Sequence, residues 1–190
     1  MRKLCYLVAA SIDGFIAALD GSIDLFPMDE EYVGMLASRY PETLPTHVRA
    51  MLGAEVENRV FDTAVMGRTT YEQGVKAGLT NPYAHLRTYV VSSSLTETAD
   101  EAVQLISSDV LERVAELKEQ PGLSIWLCGG PQLAATLYPV LDELIVKVNP
   151  IVLGSGIPLF GADVTPGPLR LKESSTVAAG VTVQHYEVLH

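Results

Sequence analysis

At 190 residues, with 48% hydrophobic and 19% charged, the chain has the length and apolar content of one domain, residues 1–190, built round a substantial core. Lys plus Arg number 13 against 23 for Asp plus Glu, a formal net charge of -10, which argues against a non-specific grip on nucleic acid or an anionic membrane. Any anionic ligand has to be held by local groups.

The elements alternate between strand and helix. Leu4 to Ala10 is an apolar run of strand length, and Ser11-Ile12-Asp13-Gly14 interrupts it too early for a secretory signal. Asp24 to Arg59 fits the alternation least well. It carries Pro27, Pro41 and Pro45, the acids Asp29, Glu30 and Glu31, and helix-compatible pieces at Tyr32 to Ser38 and His47 to Glu57. Such an excursion either covers a substrate or shields one sheet face.

Phe61 to Met66, Thr88 to Val91, Ser124 to Cys128 and Glu143 to Val148 read as further strands covered on both faces. Asp109 and Glu112 form a capping-box pattern ahead of Val110, Leu111, Val114 and Leu117, with Pro121-Gly122 as the stop. Pro131 opens another helix whose Leu133, Leu137 and Tyr138 face the core until Pro139. Leu169 to Val177 and Val181 to Leu189, with Ala179-Gly180 between them, read as a terminal antiparallel hairpin.

Two glycine turns carry the chemistry. Val65-Met66-Gly67-Arg68-Thr69-Thr70-Tyr71-Glu72 and Ile125-Trp126-Leu127-Cys128-Gly129-Gly130-Pro131 each pass from a strand into a helix. At such a junction free backbone N–H groups and the helix dipole receive phosphate. Two of them predict a polyphosphate cofactor along one edge of an α/β sheet.

Other chemistries lack their residues. Cys5 and Cys128 lie in apolar runs and read as buried free thiols of a reducing cytoplasm. His47, His85, His185 and His190 show no metal-ligand spacing, and no metal site is expected. There is no zinc-deaminase signature, Walker A lysine turn or complete G-x-G-x-x-G after a strand.

Ala9-Ala10-Ser11-Ile12-Asp13-Gly14-Phe15-Ile16-Ala17, the Gly67-to-Glu72 turn, Val90-Val91-Ser92-Ser93, Cys128-Gly129-Gly130 and Pro150-Ile151-Val152-Leu153-Gly154-Ser155-Gly156-Ile157-Pro158-Leu159-Phe160 follow one another in a familiar order. From about Leu4 to Val188 the chain resembles the dihydrofolate reductase-like superfamily. Its Ser-x-Asp-Gly start and Leu-Gly-x-Gly-x-Pro-Leu-Phe segment are similar to the branch containing the C-terminal reductase domain of the bacterial riboflavin-biosynthesis deaminase/reductase. The resemblance implies an α/β fold with a mostly parallel central sheet flanked by helices and an antiparallel C-terminal hairpin.

It also implies an NADPH-dependent reductase that passes a hydride to a C=N or C=O of a small, pterin- or pyrimidine-like substrate. By the same matching, Gly67, Arg68, Thr69 and Thr70 meet the adenosine phosphates, and Ser92 and Ser93 lie by the 2′-phosphate or simply end a strand. Gly129 and Gly130 admit the pyrophosphate to the main chain. Pro131 and Gln132 depart from the dihydrofolate reductase pattern, leaving the N–H groups of Gln132 and Leu133 as donors. Ala9, Ile16 and Ala17 frame the nicotinamide or belong to plain core, and Leu153 to Gly156 line the pocket or form a turn.

For catalysis the matching reaches Glu31, with Asp29 and Glu30 beside it, counted from Phe26. Complementing a helix N-terminus explains the same three acids. The branch implies a homodimer. A nucleotide-binding module without turnover is the alternative of a different class.

Overall fold

The computed structural model describes residues 1–52 and 57–190, so residues 53–56 of the His47 to Glu57 piece lie outside the described residues. One eight-stranded sheet organises them. In chain order its strands are β1 (Leu4–Ser11), β3 (Phe61–Gly67), β4 (Arg87–Val91), β5 (Gln104–Ile106), β6 (Ser124–Gly129), β7 (Glu143–Asn149), β9 (Leu169–Thr176) and β10 (Thr182–Val188). A small second sheet pairs β2 (Phe15–Ala17) with β8 (Ile157–Pro158). The helices are α1 (Glu30–Arg39), α2 (Thr46–Met51), α3 (Arg68–Lys76), α4 (Val110–Glu119) and α5 (Pro131–Leu137).

The spatial order is β5-β4-β3-β6-β1-β7-β10-β9, parallel except where β10 runs antiparallel to both β7 and β9. This is the mostly parallel sheet with an antiparallel C-terminal hairpin that the resemblance implies. β6 inserts between β3 and β1, and α5 then carries the chain past β1 to β7. The strand order reverses there, opening a crevice at the carboxyl ends of β1, β3 and β6.

The continuous apolar strands are continuous because both faces are covered. One face packs Leu4, Tyr6, Val65, Ile125, Leu127 and Leu144 with Val114, Leu117, Ala134 and Leu137 from α4 and α5. The other packs Cys5, Leu7, Ala64, Met66, Trp126 and Ile145 with Tyr71 of α3. A fully buried aliphatic side chain of this kind contributes about 1.5–3 kcal/mol. The excursion after β2 is anchored by Glu42, which is fully buried and accepts the N–H groups of Val60 and Phe61 at 2.7 Å each as β3 begins. Among the described residues no helix is long and apolar enough to cross a membrane.

Several local expectations change. β2, β5 and β8 are too short for periodicity to reveal, at three, three and two residues. Asp109 does not cap α4: it sits in the left-handed region at φ 51°, ψ 41°, and its side chain makes no capping bond, while Ser108 donates to it at 2.8 Å. Cys5 is buried, but Cys128 is only partly so, because β6 ends at an open cleft.

Candidate active site

A cleft of about 810 Å³ occupies that crevice. Its wall begins where Gly67, last residue of β3, gives way to α3 with no side-chain cap, leaving the first N–H groups of the helix open. Arg68, Thr69 and Thr70 line it from that first turn, and Arg68 and Thr69 are exposed. Arg68 donates from Nη1 to Ser94 Oγ at 3.0 Å, and its Nε lies 3.8 Å from Glu72, so the guanidinium is poised over the turn after β4.

At that turn Ser92 is buried, and its Oγ accepts the N–H groups of Ser94 at 3.2 Å and Leu95 at 3.0 Å. Ser92 therefore shapes the turn, while Ser93, Ser94 and Ser107 line the cleft with it. Ser94 and Ser107 were absent from the sequence-derived set. A serine run just past a strand was the available signal for Ser94.

Opposite stands the double glycine. Gly129 has φ 139°, a backbone closed to ordinary L residues, whereas Gly130, with φ -98° and ψ -169°, is extended. The unusual backbone geometry of the turn thus belongs to Gly129, and the peptide joining the two glycines is cis. A methyl group added to either would stand 3.7–3.8 Å from Thr70 Oγ1, and one added to Gly67 would stand 3.8 Å from Gly129 O and Gly130 N. Three side-chain-free positions and the Thr70 hydroxyl thus bring β3 and β6 together as a narrow polar cradle. Gln132 and Leu133 continue the wall along α5, where Pro131 occupies the first turn without needing an N–H partner.

The far end is apolar. Ala9 of β1 and Ile16 and Ala17 of β2 line it, with Ala17 6% exposed, beside Ile23, Cys128 and Ile157. Gly21 approaches α3 so closely that a Cβ there would lie 3.0 Å from Gln73 Nε2, so the loop after β2 crosses to the opposite wall. Burial pushes the Cys128 thiol up to about 12, with a hydrogen bond from Tyr83 acting the other way, so it is no thiolate nucleophile.

All the residues matched to cofactor contacts, from Ala9 to Leu133, therefore line one cleft. The three acids do not. Asp29 caps α1, accepting the Tyr32 N–H at 2.8 Å, and Glu30 and Glu31 are exposed in the first turn, outside the cleft lining. Leu153 to Gly156 do not line it either. Their Leu153 and Gly154 N–H groups donate to Asp13 at 3.2 and 2.7 Å, which makes them a turn.

The set has the chemistry of a dinucleotide site: open helix N–H groups, a guanidinium and hydroxyls at one end, glycine backbone midway, and a dry slot for a flat ring at the other. The residues present fit NADPH.

Comparison with known proteins agrees with this architecture. The chain is 34% identical over 187 residues to the Bacillus subtilis protein YwjB, covering 97% of each. A Shewanella sp. PV-4 protein described as belonging to riboflavin biosynthesis superposes with a TM-score of 0.71 at 24% identity, covering 100% of both chains. Enterococcus faecalis dihydrofolate reductase, solved with NADP(H), superposes with a TM-score of 0.64 at 18% identity over 99% of this chain and 97% of its own. The family model for the RibD C-terminal domain matches residues 2–183, nearly the whole molecule, and the chain belongs to that family.

Proposed function

We propose that the protein is an NADPH-dependent reductase acting in the cytoplasm on a small molecule with a reducible C=O or C=N, related to the pyrimidine and pterin substrates of its fold relatives. The carrying observation is the continuity of the cleft. It runs without a break from Arg68 and Ser94 through Thr70 and the Gly129-Gly130 backbone to Ala9 and Ile16.

In this reading Arg68, Ser93 and Ser94 hold the adenosine 2′-phosphate, which selects NADPH over NADH. The open first turn of α3 and the Gly129-Gly130 backbone hold the pyrophosphate. Ala9, Ile16 and Ala17 orient the nicotinamide and exclude water. When bound, the cofactor supplies the hydride. The substrate then sits on the open side of that ring, towards Ile23 and the loops after β1 and β7. A homodimer is part of the same proposal.

The test is binding first and turnover second. Fluorescence titration is expected to show NADPH bound more tightly than NADH. NADPH oxidation is then followed against dihydrofolate, a ribosylated diaminopyrimidine and simple carbonyl compounds. Absence of NADPH binding sinks the reading. Binding with no turnover on any class favours a nucleotide-binding module.

A further inference from the structure

β7 reads Glu143-Leu144-Ile145-Val146-Lys147-Val148-Asn149, a buried central strand broken by one lysine. Its register sets Lys147 beside Ala9 of β1 and Val183 of β10. Paired residues of neighbouring strands project from the same face of a sheet. Lys147, 8% exposed, thus shares the face of Ala9, which lines the apolar end of the cleft, and stands one strand beyond that lining.

α1 roofs this position: the ammonium lies 5.6 Å from the centroid of the Tyr32 ring, itself 3% exposed. The titratable groups facing it are the Tyr32 phenol from α1 and the Cys128 thiol from β6, with Ala9 of β1 and Val183 of β10 adding none. Among the described residues its ammonium has no carboxylate partner and no hydrogen-bond acceptor. A cation–π contact offsets only part of the cost of burying such a charge. A cation with no anionic partner among the described residues, one strand from the ring slot, is what a substrate oxygen can complete.

We propose that Lys147 binds the oxygen of the hydride acceptor and gives it a proton, and that the acceptor is therefore a carbonyl compound. This deepens the reductase reading and rests on it. The carbonyl carbon gains the hydride and forms a C–H bond, while the C=O π pair moves to oxygen. That oxygen takes a proton from Lys147 Nζ, completing an alcohol. The dinucleotide is oxidised, the carbonyl is reduced, and the lysine amine regains its proton from water. A protonated imine would instead set positive charge against the ammonium. Burial lowers the lysine to about 8, so its acid and base forms are both within reach near neutral pH.

The test uses the full chain labelled with ¹³C at lysine Cε, with benzoate as an oxyanion probe and benzylamine as a cationic one. The Lys147 resonance, assigned by its loss in Lys147→Met, is expected to titrate below the exposed lysines and to move with benzoate but not with benzylamine. Lys147→Met should weaken benzoate about tenfold to a hundredfold, the range of a hydrogen bond to a charged group, with NADPH affinity held within about twofold. Lys147→Arg should keep benzoate affinity and abolish its pH dependence between pH 7 and 9, since arginine stays charged. Undiminished benzoate affinity in Lys147→Met, benzoate that does not bind the wild type, or a resonance that titrates with the exposed lysines overturns the assignment. Failure of the wild type to bind NADPH overturns the reductase reading instead, and the benzoate result still decides whether Lys147 holds an oxyanion.

Discussion

Arg68 donates to Ser94 across 3.0 Å, tying the start of α3 to the turn after β4. Both residues line the cleft, so the guanidinium is already half oriented. Pre-orientation of this kind lowers the ordering cost of binding a phosphate.

Arg68→Ala should therefore weaken NADPH by about 1.5–3 kcal/mol, the range for a hydrogen bond to a charged group. NADH should lose less, because it lacks the 2′-phosphate. Titrating both dinucleotides by fluorescence checks this, and equal affinities in wild type and mutant would remove Arg68 from the site.

The two glycines should behave differently. Gly130 is extended and has ordinary space for a side chain, so Gly130→Val should fold while its β-branch blocks the cradle and abolishes NADPH binding. Gly129→Ala forces alanine to φ 139° and should lower stability by about 1–3 kcal/mol before any ligand is considered. Thermal melts with and without NADPH separate the two, and a Gly130→Val protein that binds normally would leave the turn a mere helix start.

At α1, Asp29→Ala should cost about 1 kcal/mol through the lost cap. Glu31→Gln should change stability by roughly 0.3–1 kcal/mol and leave turnover alone. A loss of about 10²-fold in turnover at unchanged NADPH affinity would return Glu31 to the chemistry.

Glu143 sets part of the acid limit. Burial alone would raise its carboxyl, but hydrogen bonds from Lys172 at 2.8 Å and Lys3 at 2.5 Å, with His185 3.0 Å away, hold it at about 2. A carboxylate depressed by folding adds stability that is fully present above its unfolded value and is lost as pH falls through the folded one. The loss should run from about 4.5 down to about 2 and amount to the order of 2–3 kcal/mol. Denaturant melts of Glu143→Gln against wild type should converge across that window; parallel curves would show that the cluster contributes nothing.

Lys147 gives the opposite slope at the alkaline end. Folding lowers it from 10.5 to about 8, so the folded chain favours the neutral amine and stability rises with pH between those values. Lys147→Met should melt higher than wild type at pH 7, and the gap should narrow towards pH 10. A methionine variant that melts lower at pH 7 would show that the ammonium stabilises the fold.

The lining of the cleft was legible because the turns that build it carry local signals: glycine at a strand end, an arginine and hydroxyls after it, small apolar residues in a neighbouring strand. Gly67 to Thr70 and Gly129-Gly130 each announce themselves within a few residues. Lys147 does not. Its significance arises from a register with Ala9 and a roof from Tyr32, partners distant in the chain, and within β7 it is one polar letter in an apolar word. Asp29 to Glu31 are ambiguous in the sequence for the converse reason, since a helix N-terminus and a catalytic acid ask for the same residue type. Asp109 resembled a cap because the pattern is silent about φ.

The Asp13 carboxylate, the β2–β8 pair and the close approach of Gly156 to Ala17 join the loop after β1 to the loop after β7. A Cβ at residue 156 would stand 2.3 Å from the Ala17 carbonyl, so the two segments interlock like a hasp and staple. Transplanting either loop alone from a relative would leave its mate without a seat. Anyone reshaping substrate preference in this scaffold should exchange residues 12–18 and 150–158 as a single cassette.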